Sequence, residues 1–522
     1  MTTISKTDLF YLVFRNIYIR DKLRSYVCQQ LVINVPHLEY LDNNHRFLAL
    51  LSNRLEYDIF VRLQIKSNAE FVQYINSPYR HLINDLYINN RDTTVPPFSD
   101  CSGIAQGVHR LYFEIHGDTH GKLPDSLTEL IIASQFYNHS KNKFLDELLK
   151  DLPPNLRILT LPSNYDISST VVVPRDSSLV DFRYRSYYDS LRHLVVQPPK
   201  VFKNVVANIT QAEELNWLRT QLWIQTINIT DVSISTESNN VIPAHIKKIS
   251  IEYYDHDDDL DPTLLPQGLE SLRCHLLSKE NIGHLSNLKK LEVKHWPTKK
   301  GSLPPSLKSW TLGDDHPLDY DVLPLGLKEL NLTKFTHELN PGVLSPSLTN
   351  LRLGRFNKAL PANVLPQGLQ TLAMNSFNTT INPHAIPNSL TALRLPLYQG
   401  TFDSVGPLDN LTHLSLYALN PSLSVLLVNV VKIAIQFEAY IHQNLKLCSS
   451  AIQHLALYRF GRSESIISSS FLPSNLKSLK LTNIEINLPN LIPNTCIYFE
   501  TNSRSLNRSL LPASIKHIKI NK

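Results

Sequence analysis

LPLGLKELNL at residues 323–332, LPQGLQTLAM at residues 365–374 and IPNSLTALRL at residues 386–395 are copies of one phrase, L-P-x-x-L-x-x-L-x-L. The last part of the phrase alternates leucines with other residues, and this period of two predicts a short strand with alternate side chains buried. The proline fixes φ and removes a backbone donor, which suits the turn that starts a strand. Each copy therefore predicts a turn followed by a strand.

The phrase recurs with a nearly constant period. If the apolar residue after P-x-x is the anchor of a repeat, the steps from Leu327 to Leu411 are each 21 residues long. Such a period with this strand phrase is typical of leucine-rich repeats, which stack into a solenoid. We therefore predict an α/β-type solenoid dominated by short parallel strands, with a small N-terminal helical region. Other anchors are predicted at Ile83, Val108, Leu127, Leu156, Leu191, Ile224, Ile246, Leu269, Leu288, Leu307, Val430, Ile452, Leu476, Cys496 and Ile515.

Two further apolar ladders share this register. Their positions lie eight and twelve residues after the anchor, and stacking predicts a buried spine at each level. The first ladder comprises Tyr254, Leu277, Trp296, Phe335, Phe356, Phe377, Tyr398, Leu419 and Phe460. The second comprises Leu339, Leu360, Ile381, Phe402 and Leu423. Interspersed prolines leave little room for helices here, so irregular or 3₁₀ segments are expected on the convex side.

The phrases FNKAL at residues 356–360 and FNTTI at residues 377–381 resemble the FNIP repeat, which is characteristic of social amoebae and some giant viruses. The resemblance covers residues 240–520 well and residues 100–240 loosely. It implies a leucine-rich-repeat-like array and brings no assigned activity. Thr336 replaces the asparagine of the phrase, and Asp315 stands where the aromatic residue is expected, so these units are expected to be distorted.

The N-terminal residues 1–80 differ from the array at 81–522. Apolar residues recur at helical spacing in 7–30, and residues 38–51 and 68–74 could add more helix. We predict a helical cap over the end of the solenoid. The alternative is a docking module for a ubiquitin-ligase adaptor, because DLFYLVFRNIYIRDKL at residues 8–23 resembles the F-box-like start of social-amoeba FNIP proteins.

Composition and charge argue against several classes of partner and compartment. A net charge of +5 is mild for 522 residues and does not predict a nucleic-acid partner. No apolar run is long enough to cross a membrane, and no signal peptide is recognised. The five cysteines are irregularly spaced, which argues against disulfides and favours the cytoplasm, with the nucleus as the alternative.

Candidate chemistry is sparse. The acidic stretch at residues 253–261 lacks the order of a calcium-binding loop and is interpreted as a solvated loop. Several of the 20 histidines share one slot two residues after the anchor, as at His413 and His454, which indicates exposed strand positions. No catalytic motif, metal site or cofactor fingerprint is recognised. A hydrolase hidden in the irregular region 100–240 remains an alternative to a protein with no enzymatic activity.

The concave face of the predicted sheet is the expected functional surface. Arginine and tyrosine are enriched among the residues that dominate protein interfaces. We predict a non-catalytic scaffold that binds a protein of unknown identity through this face. The predicted partner contacts are Arg352, Arg394, His413, Tyr417, His454 and Tyr458.

Overall fold

The computed structural model divides into two units, Met1–Ile234 and Ser235–Lys522. Both are built from short parallel strands. The residues that it describes are 17–29, 31–50, 59–89, 99–115, 119–134, 142–163, 165–230, 241–251, 261–275, 277, 282–295, 299–417, 422–423, 426–437, 447, 451–460, 471–486, 489–503 and 506–520.

The first unit combines strands with helices. Its strands are β1 (Val32–Val35), β2 (Phe60–Ile65), β3 (Asp85–Ile88), β4 (Arg110–Ile115), β5 (Glu129–Ser134), β6 (Ile158–Thr160), β7 (Val171–Val173), β8 (Asp181–Tyr187), β9 (Leu194–Val196), β10 (Phe202–Ile209) and β11 (Ile224–Ile229). Its helices are α1 (Ile17–Cys28), α2 (Leu38–Ala49), α3 (Asn68–Asn76), α4 (Lys143–Lys150), α5 (Tyr188–Leu191) and α6 (Glu213–Leu218). Short 3₁₀ turns occupy Arg80–Leu82 and Cys101–Gly103. Strands β1 to β6, β8, β10 and β11 pair in parallel in that order.

The helices predicted before residue 80 are present, but they are not the whole of that region. Helix α1 falls within the predicted span 7–30. The residues of that span before 17 lie outside the described part of the chain. Helices α2 and α3 lie close to their predicted positions. Strands β1 and β2, which were not predicted, continue the sheet from β3 back to Val32. Val61, Leu63 and Ile65 are buried without any L-P phrase before them. The sheet therefore begins well before the predicted boundary.

One predicted anchor of the first unit is wrong. Leu191 ends helix α5, and the strand that follows it, β9, pairs with β7 in a separate two-stranded sheet. The main sheet continues instead through β8 and β10, whose buried residues follow the same spacing from Leu179 and Phe202. The spacing L-x-x-L-x-V identifies buried side chains, but it does not show to which sheet their strand belongs.

The second unit is a regular stack. Its strands are β12 (Lys248–Ile251), β13 (Ser271–Cys274), β14 (Lys290–Val293), β15 (Ser309–Leu312), β16 (Glu329–Leu332), β17 (Asn350–Leu353), β18 (Thr371–Met374), β19 (Ala392–Leu395), β20 (His413–Leu416), β21 (Lys432–Phe437), β22 (His454–Arg459), β23 (Ser478–Thr482), β24 (Tyr498–Thr501) and β25 (His517–Ile520). Each pairs in parallel with the next.

The sequence register of the second unit is confirmed. Every predicted anchor from Ile246 to Cys496 is fully buried, and Ile515 is half-buried. The described residues of this unit contain no α-helix, and 3₁₀ turns lie at Pro262–Leu264 and Arg508–Leu510. The predicted fold, a solenoid of short parallel strands, is therefore the observed one.

Hydrogen bonds in the turn explain the P-x-S-L part of the phrase. The amide of Leu307 donates to the carbonyl of Pro304 at 3.1 Å, which closes the turn. The hydroxyl of Ser306 donates to the carbonyl of Leu288, the preceding anchor, at 2.8 Å. Ser389 does the same to Leu369 at 2.6 Å. The serine thus satisfies a backbone carbonyl that the neighbouring turn leaves unpaired.

The aromatic ladder is confirmed over its central repeats. The rings of Phe335, Phe356, Phe377 and Tyr398 are buried and stacked, with successive centroids 6.2, 6.1 and 5.6 Å apart. Leu277 is buried, and so is every member of the ladder twelve residues after the anchor. Tyr254, Trp296 and Leu419 lie outside the described residues.

Phe460 was predicted to belong to the aromatic ladder, and this prediction is wrong. Strand β22 continues to Arg459, and the amide of Phe460 still bonds the carbonyl of Phe437 at 2.9 Å. The chain therefore runs on along the strand where other repeats turn inward, and the ring is 49% exposed.

A polar ladder lies beside the rings. Asn357 Oδ1 accepts the amide of Asn378 at 2.7 Å, and Asn378 Oδ1 accepts the amide of Gln399 at 2.8 Å. Asp315 Oδ1 accepts the amide of Thr336 at 2.8 Å in the same way. Because the step from Leu307 to Leu327 is one residue short of 21, Asp315 takes the place of the asparagine, and its repeat keeps this contact.

We expect Asn378→Ala to lower the free energy of unfolding by about 1 kcal/mol, because it removes the acceptor for the Gln399 amide. Asn378→Asp keeps a carboxyl oxygen at that position and should lose less. Urea unfolding of the two variants beside the wild type measures the difference. Equal losses would show that the contact does not contribute.

Candidate functional site

The sheet of the second unit has an open face, opposite the buried leucines, on which side chains form rows in register. Four residues after each anchor, the side chain between the two strand leucines faces outward, as predicted. This row runs Ser250, Arg273, Glu292, Thr311, Asn331, Arg352, Ala373, Arg394, Ser415, Ala434, Ala456, Lys480, Glu500 and Lys519. A second row, two residues after the anchor, places His413, Lys432 and His454 side by side on β20, β21 and β22.

Two depressions on this face gather most of the predicted contact residues. The first, of about 630 Å³, is lined by Arg352, Arg394 and His413. The second, of about 800 Å³, is lined by His413, His454 and Tyr458. His413 belongs to both, so the two depressions adjoin. Tyr417, half-buried just beyond β20, lines neither of them.

Lys432 lines both depressions and was not singled out from the sequence. It occupies the same slot as His413 and His454, two residues after its anchor Val430. That slot was recognised from the histidines alone. Extending it to every repeat would have identified this lysine.

The floor between the charged side chains is made of small residues. Ala373 lies between Arg352 and Arg394 in the row, and Ala434 and Ala456 follow on β21 and β22. Small side chains let a partner approach the sheet closely. Arg352 and Arg394 therefore lie in the same row as these small residues, and His413, Lys432 and His454 form a second row beside it, and we call this surface the channel.

Several cations on other strands contact carboxylates on neighbouring strands. In the second unit Arg273 lies 3.3 Å from Glu292 and Lys480 lies 2.6 Å from Glu500, and in the first unit Arg110 lies 3.0 Å from Glu129. Strands β17 to β22 contain no aspartate or glutamate. The pairing of these strands therefore places no carboxylate directly opposite Arg394, His413 or Lys432.

Local electrostatics act on His454 and Lys480 in opposite directions. Partial burial, together with the charges of Lys432 and His413, lowers the pKa of His454 below its usual value. The hydrogen bond to Glu500 raises the pKa of Lys480. His454 is therefore mostly neutral at neutral pH, whereas Lys480 is charged and already paired.

Two other histidines contact the same carboxylate, one of them from the neighbouring repeat. His295 Nδ1 and His316 Nε2 both lie 3.0 Å from Asp314 Oδ2. Burial raises the pKa of Asp314, but the bonds from His295 and the Asp315 amide outweigh it and hold this pKa below its usual value. Within the part of the chain that the structure describes, no group of three or more His, Cys, Asp or Glu side chains is arranged to hold a metal ion.

One network of buried polar groups in region 100–240 links helices to a strand. The hydroxyl of Tyr184 bonds the Tyr165 carbonyl and Ser190 Oγ, both at 2.6 Å, and Ser190 Oγ accepts the Ile167 amide at 2.8 Å. Tyr165 in turn donates to Asp146 Oδ1 at 2.7 Å. This network ties α4 and α5 to β8 and gives no support to the hydrolase alternative.

The fold and the open face define a leucine-rich-repeat-type solenoid. The family model of the FNIP Repeat matches residues 296–335, 335–376 and 356–398, so the chain contains FNIP repeats. No curated protein matches the chain. Among the residues that the structure describes, no helix has the length and apolarity to cross a membrane.

Several solved structures are similar to the chain. YopM from Yersinia enterocolitica is 17% identical over 87% of this chain and 95% of its own, with a TM-score of 0.28. YopM from Yersinia pestis, described as a leucine-rich effector protein, is 16% identical over 84% and 83%, with a TM-score of 0.23. An internalin from Listeria monocytogenes is 13% identical over 76% and 88%, with a TM-score of 0.21.

Proposed function

We propose that this chain is a non-catalytic scaffold that binds a protein partner on the open face of its second unit. The observation that carries the proposal is the channel over β17 to β22, where exposed cations flank small residues without carboxylates beside them. The proposed contacts are Arg352, Arg394, His413, His454 and Tyr458, with Tyr417 at the margin and Lys432 added. Arginine and tyrosine are among the residues that most often dominate binding energy.

We expect a photo-crosslinking residue at Ala373 to form a discrete adduct with a partner protein in cells, because Ala373 lies on the channel floor. The matched position is Lys358, which is exposed and lies two residues past the buried ring of Phe356. The readout is the set of adducts resolved by electrophoresis and mass spectrometry. No adduct at Ala373, or the same adducts from both positions, would contradict the proposal.

A second candidate function is adaptor docking through the N-terminal helices. Phe47, near the end of α2, is 60% exposed, and Leu50, just after it, is 79% exposed. Large apolar side chains grouped on a surface mark interaction sites. We propose this apolar pair as the contact with a ubiquitin-ligase subunit.

The pair can be tested without cutting the chain. Removal of residues 1–80 would take away β2 and leave the edge of β3 uncovered. Substitution of Phe47 and Leu50 by serine keeps the strands, and loss of ubiquitin-ligase subunits from affinity capture is the expected result. Unchanged recovery of those subunits, or none with the wild type, would remove the adaptor function.

We propose the cytoplasm as the compartment, with the nucleus as the alternative. The thiols of Cys101, Cys274 and Cys496 are buried, and burial raises the pKa of each. Such cysteines behave as small hydrophobic residues of the core. This usage is compatible with a reducing environment.

A further inference from the structure

We propose that the channel binds an acidic, extended segment of the partner protein, with its carboxylates on Arg352, Arg394, His413, Lys432 and His454. This inference rests on the proposed function and names the chemistry of its partner. We call these five residues and the small residues between them the basic groove. Its occupant would be rich in aspartate and glutamate.

Charge complementarity is the first argument. The other cations named above are neutralised by a carboxylate on a neighbouring strand, at 2.6 to 3.3 Å. Within the groove, Arg352 lies between Asn331 and Ala373, and Arg394 lies between Ala373 and Ser415. Glu329 on the adjacent strand β16 also lines the first depression, and it pairs with Asn350, two residues before Arg352, rather than with Arg352 itself. An external anion would supply the missing partner.

Shape is the second argument. Six adjacent strands, β17 to β22, span about 24 Å at the usual spacing between strands. An extended peptide of about seven residues covers that distance. Small side chains occupy most positions of the row along this path, at Ala373, Ser415, Ala434 and Ala456. A short acidic segment can therefore contact cations of both rows at once.

Histidines make the groove sensitive to pH. Partial burial and the charges of Lys432 and His413 hold the pKa of His454 below its usual value, and Glu500 is bound by Lys480 at 2.6 Å and by Lys519 at 3.7 Å. A bound carboxylate would favour the charged imidazole and raise its pKa. The other titratable groups that line the depression of His454 are His413, Lys432, Tyr458, Lys480, Tyr498, Glu500, His517 and Lys519.

The test is fluorescence anisotropy with the full chain and a labelled oligoglutamate peptide of about ten residues, long enough to span the groove. We expect binding that weakens with salt. The triple variant Arg352→Gln, Arg394→Gln, Lys432→Gln should lower the affinity at least about tenfold. The double variant Arg355→Gln, Lys358→Gln removes exposed charge away from the groove and should bind as the wild type does.

The pH arm uses the same probe at about pH 6 and about pH 7.5, on either side of the usual histidine pKa. Wild-type affinity should be about threefold or more higher at the lower pH, because bound carboxylates stabilise the protonated imidazoles. His413→Gln with His454→Gln should keep binding and lose this dependence. A wild type with no pH dependence, or histidine variants with the same dependence, would overturn the role of the histidines.

Three results would overturn the acidic-segment inference: no binding of oligoglutamate at low salt, equal binding by the triple variant, or tighter binding of oligothymidylate than of oligoglutamate. The last result would make the groove a nucleic-acid site. Circular dichroism checks that the triple variant is folded, and the single variants replace it if it is not. A discrete adduct at Ala373 together with no oligoglutamate binding would retain the protein-binding function and remove only the acidic partner.

Discussion

Replacement of Phe377 by alanine is expected to lower the free energy of unfolding by about 3–5 kcal/mol, the usual cost of emptying a buried phenylalanine site. The ring is fully buried and stacks on Phe356 at 6.1 Å and on Tyr398 at 5.6 Å. Its loss therefore opens a void against two neighbouring repeats at once. Because repeats contact only their neighbours, the damage should spread to both sides of the substitution.

Tyr320→Ala is the matched control, because it removes an aromatic ring that is 58% exposed. Its effect should stay within about 0.5 kcal/mol. Urea unfolding followed by circular dichroism compares the two variants with the wild type. A loss for Phe377→Ala no larger than that for Tyr320→Ala would mean that the stacked rings do not stabilise the array.

Phe377 also illustrates why the second unit was predictable. A period of 21 residues places equivalent side chains at one level of the stack, so one register determined from Leu369 extends to every neighbouring repeat. The buried anchors and both ladders follow from that register. Phe460 departs from it because β22 continues to Arg459, and strand length is not encoded in the spacing.

The first unit was harder to predict for a physical reason. Strands β8 and β10 bury Phe182, Tyr184 and Val205 with the same spacing as the leucines, but no L-P phrase precedes these two strands. The spacing after Leu191 was equally good and belongs to a separate pair of strands. Local pattern reports which side chains are buried, whereas sheet membership depends on contacts that are distant in sequence.

The exposed strand positions of the proposed site were predictable from the sequence, and the charges around them were less so. The exposed slots of Arg352, Arg394, His413 and His454 follow from the strand pattern. Whether a cation is paired depends on which residue lies beside it in the next strand. That neighbour is known only when the whole register is fixed, and so the contrast with Lys480 emerged from the structure.

Glycine is scarce in this chain, with only 15 residues, and Gly354→Ala is expected to be among its most damaging single-methyl changes. A Cβ on Gly354 would overlap the carbonyl oxygen of Thr333 and lie 2.7 Å from its carbonyl carbon. Both atoms are backbone of the adjacent repeat, where the Gly354 amide also bonds the Leu332 carbonyl at 2.8 Å. Relief requires the two repeats to separate, so we expect a loss of about 1–3 kcal/mol or more.

Gly368→Ala is the matched control, because a Cβ at that position meets no atom within 4 Å. Its stability should be unchanged or slightly higher, since alanine restricts the unfolded chain more than glycine does. Thermal and urea unfolding of the two variants separate steric overlap between repeats from the general effect of replacing glycine. Equal behaviour of the two variants would show that the backbones at Gly354 and Thr333 do not approach as closely as the stacked register requires.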